Sequence, residues 1–300
     1  MIVFCCDPLR RKWVDSEFLC EWNAARAAGF EVDLVSIEDL IGSNSGERAV
    51  TGVSRSSEPR SAIYRGWMLT PSAYRRLYDA LLGKNCRLVT SPAQYQNSHY
   101  LPKWYGVFQG ITPKSAWLPA CSGLPDNALV EQLAIFGDSA VVVKDYVKSR
   151  KHEWAEACYV PRASDTRYAL QIIRRSVELQ GDDLNEGIVL REFVRLRPLG
   201  AFLESGMPLS QEWRTFVFNG APTCALPYWS GVKYPEEPPD LSGILSVATH
   251  HNSPFFAMDI AKIEGGQWIV IEIGDGQVSS LLDSSIAPQF YLALREQWPA

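Results

Sequence analysis

Apolar and polar positions alternate in two rhythms along the first ninety residues. Ile2–Cys6 is a short apolar run ending at Asp7-Pro8, which reads as a buried strand followed by a loop. Ser16–Ala28 carries Phe18, Leu19, Trp22 and Ala25 at helical spacing, with Ser16 as the expected N-cap and Gly29 as the stop. Val32–Ile37 alternates like a second strand. The stretch Gly42–Ser61, rich in Gly, Ser and Arg, reads as a surface loop. Ile63–Trp67 predicts a strand, Pro71–Leu82 a helix with proline in its first turn, and Arg87–Thr90 another strand. Strand, helix and strand in this order predict βαβ connections and a parallel sheet, an N-terminal α/β domain over residues 1–96.

From residue 97 the pattern changes. An aromatic segment, Tyr100–Tyr105, opens the region, and Ala116–Leu118 and Ala140–Tyr146 read as strands. Asp165–Gln180 predicts a helix with Leu170, Ile173 and Val177 at helical spacing and Ile172 beside them, and Gly187–Val194 predicts a strand. Trp213–Phe218 and Ala221–Leu226 flank Asn219-Gly220, a strong hairpin signal. Phe255–Ile263 and Trp268–Ile273 predict a second hairpin.

That last hairpin carries the first chemical clue. With Gly265-Gly266 as a two-residue loop, Glu264 faces Gln267, and the continued ladder sets Asp259 opposite Glu272. Like charges directly opposite each other are destabilising, so the pair calls for a compensating cation. A divalent ion such as Mg²⁺ fits, because it takes carboxylate oxygens and keeps substrate phosphates among its ligands. Two solvated acids, or acids paired with Arg214 or a nearby Lys, also satisfy the pattern. The other face of this hairpin, with Phe256, Met258, Ile260, Ile269, Ile271 and Ile273, reads as core.

Two further strands carry charge. Val141–Val143 ends on Lys144, and residues 144–151 hold four basic groups against one acid, Asp145. A lysine at a strand end can set its ammonium on a phosphate, and a non-helical basic loop after it can fold over a nucleotide; a solvated loop is the plain alternative. No Walker-type glycine run is present. In Glu212–Phe218, Glu212, Arg214 and Phe216 share one face, so Arg214 must find an anion, either a carboxylate such as Asp259 or a phosphate.

Composition narrows the choices. The 300 residues are 46% hydrophobic and 21% charged, an ordinary globular balance that excludes a disordered or fibrous chain. The net charge of −5 offers no basic surplus for a nucleic-acid backbone. Four histidines make chemistry built on several His ligands improbable. Seven cysteines, odd in number and without a CxxC, read as reduced thiols. No stretch has the length of a membrane span, and the N-terminus lacks a signal-peptide pattern, so a cytoplasmic location is expected.

Taken in order, a Lys-ended strand, basic loop, helix, strand with acid and aromatic, Glu-x-Arg strand, Asp strand and Glu strand resemble the ATP-grasp fold of carboxylate–amine ligases over roughly residues 98–283. Arg65-Gly66-Trp67, Val143–Ser149 and Ile271–Gly276 resemble more closely the bacterial and phage clade called R-two-K. The resemblance implies an α/β protein: the N-terminal parallel-sheet domain, then a two-lobed ATP-grasp domain over 97–300, with lobes at about 97–186 and 187–300. It implies ATP and Mg²⁺ as cofactors. Lys144, with Lys148 beside it, would contact phosphates. Arg191, Glu192, Phe193 and Val194 would form the adenine hinge. Glu212 would meet the ribose, and Arg214 would lie near the phosphates and acyl group. Asp259 and Glu272 would hold metal. The family's usual Glu-x-Asn has Gly274 at its third position here, so Asp275 or Gln277 is the candidate replacement, and Lys148–His152 stands where a Gly-rich loop is usual. Arg65 is the candidate for holding a substrate carboxylate, a structural salt bridge being its alternative.

The implied reaction is ATP-dependent joining of a carboxylate to an amine, small-molecule or peptide, through an acyl phosphate. A small-molecule kinase of the same fold and a nucleotide-binding module with little turnover are the alternatives. No nucleic-acid or membrane partner is expected.

Overall fold

The structure, a computed structural model, describes residues 1–201 and 208–298. Fourteen strands are described: β1 (Ile2–Cys5), β2 (Val32–Val35), β3 (Arg60–Arg65), β4 (Cys86–Leu88), β5 (Ser115–Pro119), β6 (Val141–Asp145), β7 (Tyr159–Val160), β8 (Gly187–Glu192), β9 (Pro198–Ala201), β10 (Pro208–Ser210), β11 (Glu212–Phe218), β12 (Ala221–Pro227), β13 (Phe255–Lys262) and β14 (Trp268–Asp275). They belong to two compact units. Unit 1 comprises Met1–Ser98, Glu212–Ile260 and Ile273–Ala300; unit 2 comprises His99–Gln211 and Ala261–Glu272.

Unit 1 opens with the expected parallel sheet, in order β2-β1-β3-β4. Helices Leu19–Ala27 and Pro71–Leu82 make the connections. Asp15, not Ser16, caps the start of the first helical segment, a 3₁₀ turn at Ser16–Phe18, by accepting from the Glu17 amide. The second helix begins at Pro71 behind a Thr70 cap. The expected loop from Gly42 to Ser61 contains a short helix, Gly46–Ala49, capped by Ser45, and the first residues of β3. Ser36 ends the second strand early by capping a helix at Ile37–Ile41. In both places a serine side chain supplies an amide's missing acceptor, and this local bond outweighs the strand or loop pattern.

A separate four-stranded sheet has the order β12-β11-β13-β14. Unit 1 takes in Glu212–Ile260 and Ile273–Ala300 besides the N-terminal residues. Phe216 and Phe218 on β11, Phe255 on β13 and Phe290 pack in one buried cluster with Ile2, Phe4 and Ile63 of the N-terminal sheet. Each such ring, once buried, contributes roughly 1.5–3 kcal/mol, which draws residues 212–260 and 273–298 into unit 1. At Asn219-Gly220 the expected two-residue turn is present, with φ of 49° and 81° and Phe218 opposite Ala221.

Unit 2 is an antiparallel sheet, β5-β8-β6-β7, backed by helices Asp126–Ala134 and Thr166–Gln180. The longer helix buries Ala169, Ile172, Ile173 and Ser176 against Val141, Val143, Ile188 and Leu190, a stripe rotated slightly from the expected one, with Leu170 and Val177 at its margin. The aromatic segment near residue 100 is a helix, Leu101–Phe108, that buries Leu101, Trp104 and Phe108. No helix among the described residues is long and apolar enough to cross a membrane.

Candidate functional site

Unit 2 carries Lys144, Lys148, Arg191–Val194 and Glu272. Lys144, on β6, is buried, and its Nζ donates to Glu272 Oε1 at 2.7 Å. Burial pushes the Glu272 carboxyl up, but the ion pair with Lys144, helped by Lys151 and Arg191, prevails and holds it below its ordinary range. After Lys144 the chain reverses sharply. Asp145 Oδ1 accepts from the amides of Val147 and Lys148, while the Asp145 amide donates to the Lys148 carbonyl. Its Oδ2 accepts from Gln180 Nε2 at 2.7 Å and Asn185 Nδ2 at 2.8 Å. Asp145, counted in the sequence only as an acid in a basic segment, therefore sets the turn that separates Lys144 from the exposed Lys148. The expected non-helical loop contains a 3₁₀ turn at Lys151–Glu153 and a π turn at Trp154–Cys158. Arg150 ties it to the Leu179 carbonyl and to Glu153.

Arg191 sits on β8 opposite Val142. Its guanidinium is buried, 5.5 Å over the Trp104 ring, and Nη2 donates to Thr112 Oγ1 at 2.8 Å and to the Ile271 carbonyl at 2.7 Å. Burial lowers its pKa to about 10, against the opposing pull of Glu272. β8 ends at Glu192, whose amide donates to the Lys114 carbonyl, and Phe193 follows with its amide on Ala140. The Phe193 ring meets Tyr159 edge-on at 5.2 Å and Trp154 at 5.9 Å, and Trp154 stacks on Tyr159. Val194 lies in the irregular segment that follows. His99, unremarked in the sequence, is buried near Lys144, Lys148, Asp145 and Glu272, and burial holds its pKa at about 4, so it is neutral at pH 7.

The hairpin turn after β13 differs from the expectation. The Gly266 amide donates to the Ile263 carbonyl at 2.9 Å, the Ile263 amide donates to Gln267, and Gly266 has φ of 89°. This is a three-residue loop, Glu264–Gly266, with the left-handed glycine of a bulge. The first paired residues are Ile263 and Gln267 rather than Glu264 and Gln267, so the ladder starts one position away from the register assumed above. Continued from this turn, the ladder does not set Asp259 opposite Glu272.

Unit 1 carries Arg65, Glu212, Arg214, Asp259 and Asp275. Arg214 donates from Nε to Asp259 Oδ1 at 2.7 Å and from Nη2 to Oδ2 at 2.8 Å. Nη1 donates to the Ser280 carbonyl and hydroxyl, and Tyr228 lies under the guanidinium at 5.2 Å. Glu212 is buried at the head of β11, its carbonyl accepting from the Tyr228 amide.

Arg65 is 1% exposed. Nε and Nη2 donate to Glu21 at 2.8 and 2.9 Å, and Nη1 to the carbonyls of Gly276, Gln277 and Ser279. Tyr291 completes the cluster by donating to Glu21 at 2.7 Å. All three nitrogens of the Arg65 guanidinium are thus engaged within unit 1, in the salt-bridge arrangement given above as its alternative. Asp275 and Gln277 are also fully buried. Asp275 Oδ1 accepts from the Gln277 amide and from Gln277 Nε2, which also donates to Tyr74 at 2.7 Å; among the described residues nothing donates to Asp275 Oδ2. Burial raises the Asp275 pKa to about 7. These contacts put Asp275 and Gln277 in the interior of unit 1, beneath Tyr64 and Tyr74.

A carboxylate oxygen has two lone pairs, so one N–H on each oxygen of Asp259 leaves acceptor capacity for a hard cation, and Glu272 has a second oxygen besides the one on Lys144. Both donors are hard oxygens of the type Mg²⁺ takes. Among the described residues no three His, Cys, Asp or Glu side chains form a ready metal cluster.

Residues 133–294, more than half of the chain, match the ATP-grasp domain of the R-two-K clade, family 3, and the chain belongs to that family. Three solved structures share the fold across nearly the full length of both chains. A RimK domain ATP-grasp protein from Sphaerobacter thermophilus is 13% identical, with TM-score 0.61 and coverage of 99% of this chain and 98% of that one. The D-cycloserine synthetase DcsG is also 13% identical, with TM-score 0.58 and 99% coverage of each chain. The ATP-grasp ligase PsnB, complexed with minimal precursor, Mg and ADP, is 14% identical, with TM-score 0.57 and coverage of 99% and 96%. A search of curated proteins found no match.

Proposed function

We propose that this protein is an ATP- and Mg²⁺-dependent carboxylate–amine ligase that works through an acyl phosphate. The observation that carries the reading is Lys144 held at 2.7 Å from Glu272 within the stretch that matches the ATP-grasp family, a cation and an acid of the kinds that phosphate and metal binding need. A D-cycloserine synthetase and an ATP-grasp ligase complexed with a precursor peptide share the fold, which supports a carboxylate and an amine as substrates and leaves peptide-type joining within reach.

In this reading Lys144 and Lys148 meet the phosphates. The backbone of Arg191–Val194 receives the adenine beside the Phe193, Tyr159 and Trp154 rings, and Glu212 meets the ribose. Asp259 and Glu272 supply oxygens to Mg²⁺, which neutralises phosphate charge when bound. Asp275 is left out of the metal set because its carboxyl is fully buried with Gln277. A substrate carboxylate oxygen attacks the γ-phosphorus, the bond to the β-phosphate oxygen breaks, and ADP leaves. The amine nitrogen then attacks the acyl carbon, phosphate leaves, and the nitrogen loses a proton. Arg214 stabilises charge on the transferring group while sharing Asp259. Positioning and charge neutralisation carry the catalysis, so no protein nucleophile is required.

The decisive screen measures ADP release over amino acids and peptides with Mg²⁺. Release that needs both a carboxylate and an amine supports the ligase. Release with one substrate alone supports a kinase. ATP binding without stimulation by any pair supports a nucleotide-binding module, the reading favoured by Gly274 standing where the family has Asn.

A further inference from the structure

Arg191 is a buried cation whose side chain the proposed function leaves unused. Its hydrogen bonds go to neutral acceptors: Thr112 Oγ1 at 2.8 Å, the Ile271 carbonyl at 2.7 Å and, at the limit, the Val270 carbonyl at 3.5 Å. Burying a guanidinium without a hydrogen-bonded carboxylate is expensive, and carbonyls plus the Trp104 face offset only part of that cost. The arrangement therefore calls for a purpose beyond filling the core.

The surrounding bonds indicate one. The Val270 amide donates to the Ile111 carbonyl at 2.7 Å, and Thr112 donates its hydroxyl proton to the Val270 carbonyl at 2.7 Å while accepting from Arg191. Three consecutive peptide groups of β14 are thus held, through the Val270 amide, the Val270 carbonyl and the Ile271 carbonyl. The third, joining Ile271 to Glu272, is a single planar unit, so fixing the Ile271 carbonyl also fixes the Glu272 amide and the Cα from which its side chain departs. We propose that Arg191 is a positioning residue for Glu272: with Thr112 it clamps the peptide at Ile271 and so aims the Glu272 carboxylate at Lys144. The consequence for metal rests on the ligase reading; the clamp itself does not.

Two measurements separate these. In a thermal-unfolding cycle without nucleotide, Arg191→Met and Glu272→Gln are each compared with the double variant. A clamp acting through Glu272 makes the losses in midpoint non-additive, the double variant losing clearly less than the two singles together; strict additivity overturns the proposal. The second measurement is binding of ATP with Mg²⁺ and with EDTA. Arg191→Met weakens MgATP about tenfold more than it weakens metal-free ATP, and in a Glu272→Gln background this difference disappears. Equal weakening of both forms, or none, also overturns it. Arg191→Lys keeps a charge but cannot reach Thr112 and Ile271 together, so the clamp predicts incomplete rescue. If the wild-type protein binds no MgATP, the ligase reading fails, and the thermal cycle alone decides the clamp.

Discussion

Lys144 donates to Glu272 across 2.7 Å from a side chain only 8% exposed, while Glu272 itself is 37% exposed. The pair is lopsided, and its two halves do not respond alike to removal. Glu272→Gln leaves a buried ammonium without its carboxylate and lowers stability by about 2 kcal/mol, whereas Lys144→Met leaves a carboxylate that water can reach and costs below about 1 kcal/mol. Urea unfolding of the two variants checks the order; a larger loss in Lys144→Met contradicts it.

Arg214 and Asp259 are both largely buried, at 13% and 8%. Removing either partner strands the other, so Arg214→Met and Asp259→Asn each lower stability by about 3 kcal/mol. Arg214→Lys retains the charge but makes one contact in place of a two-pronged bond, and recovers only part of the loss. Full recovery by lysine, in the same unfolding measurement, shows that the forked geometry is unimportant.

Arg65 and Glu21 form the most deeply enclosed ion pair described, tied to three carbonyls beyond β14 and to Tyr291. Arg65→Met lowers stability by about 3–5 kcal/mol. A residue that instead held a substrate carboxylate leaves the unfolding midpoint nearly unchanged on substitution, so calorimetry of this variant distinguishes the two roles without any substrate.

These pairs also explain which features the sequence reveals. Asn219-Gly220 is legible because the turn depends on two adjacent residues with left-handed dihedrals. Gly265-Gly266 misleads because either glycine can take the positive φ; the structure uses Gly266 alone, which lengthens the loop and shifts the first pair. Lys144 and Arg214 stand out as charges in apolar strands. The partners of Arg65 and Arg191 do not, because backbone carbonyls 211 and 80 residues away leave no trace in residue type. For the same reason Thr112 and Asp145 look ordinary in the sequence, though each organises a segment that carries candidate site residues.

Asp275 makes stability depend on pH. Its carboxyl, ordinarily at 3.8, is raised to about 7 by burial. Below about pH 4 it is protonated in both states. Between there and pH 7 the folded protein keeps a proton that the unfolded chain has lost, so stability falls as pH rises, by at most about 4 kcal/mol, and then levels off. Asp275→Asn removes this dependence: its unfolding midpoint matches wild type near pH 4 and exceeds it at pH 8. Parallel profiles for the two proteins contradict the assignment.

The most direct test of the account is calorimetric titration of a non-hydrolysable ATP analogue, with Mg²⁺ and with EDTA, into the wild type, Lys144→Met and Asp259→Asn. The account predicts saturable binding to the wild type that weakens about tenfold or more without Mg²⁺, weakens in Lys144→Met under both conditions, and loses its Mg²⁺ dependence in Asp259→Asn. Binding that is absent in the wild type, or equally Mg²⁺-dependent in Asp259→Asn, contradicts it.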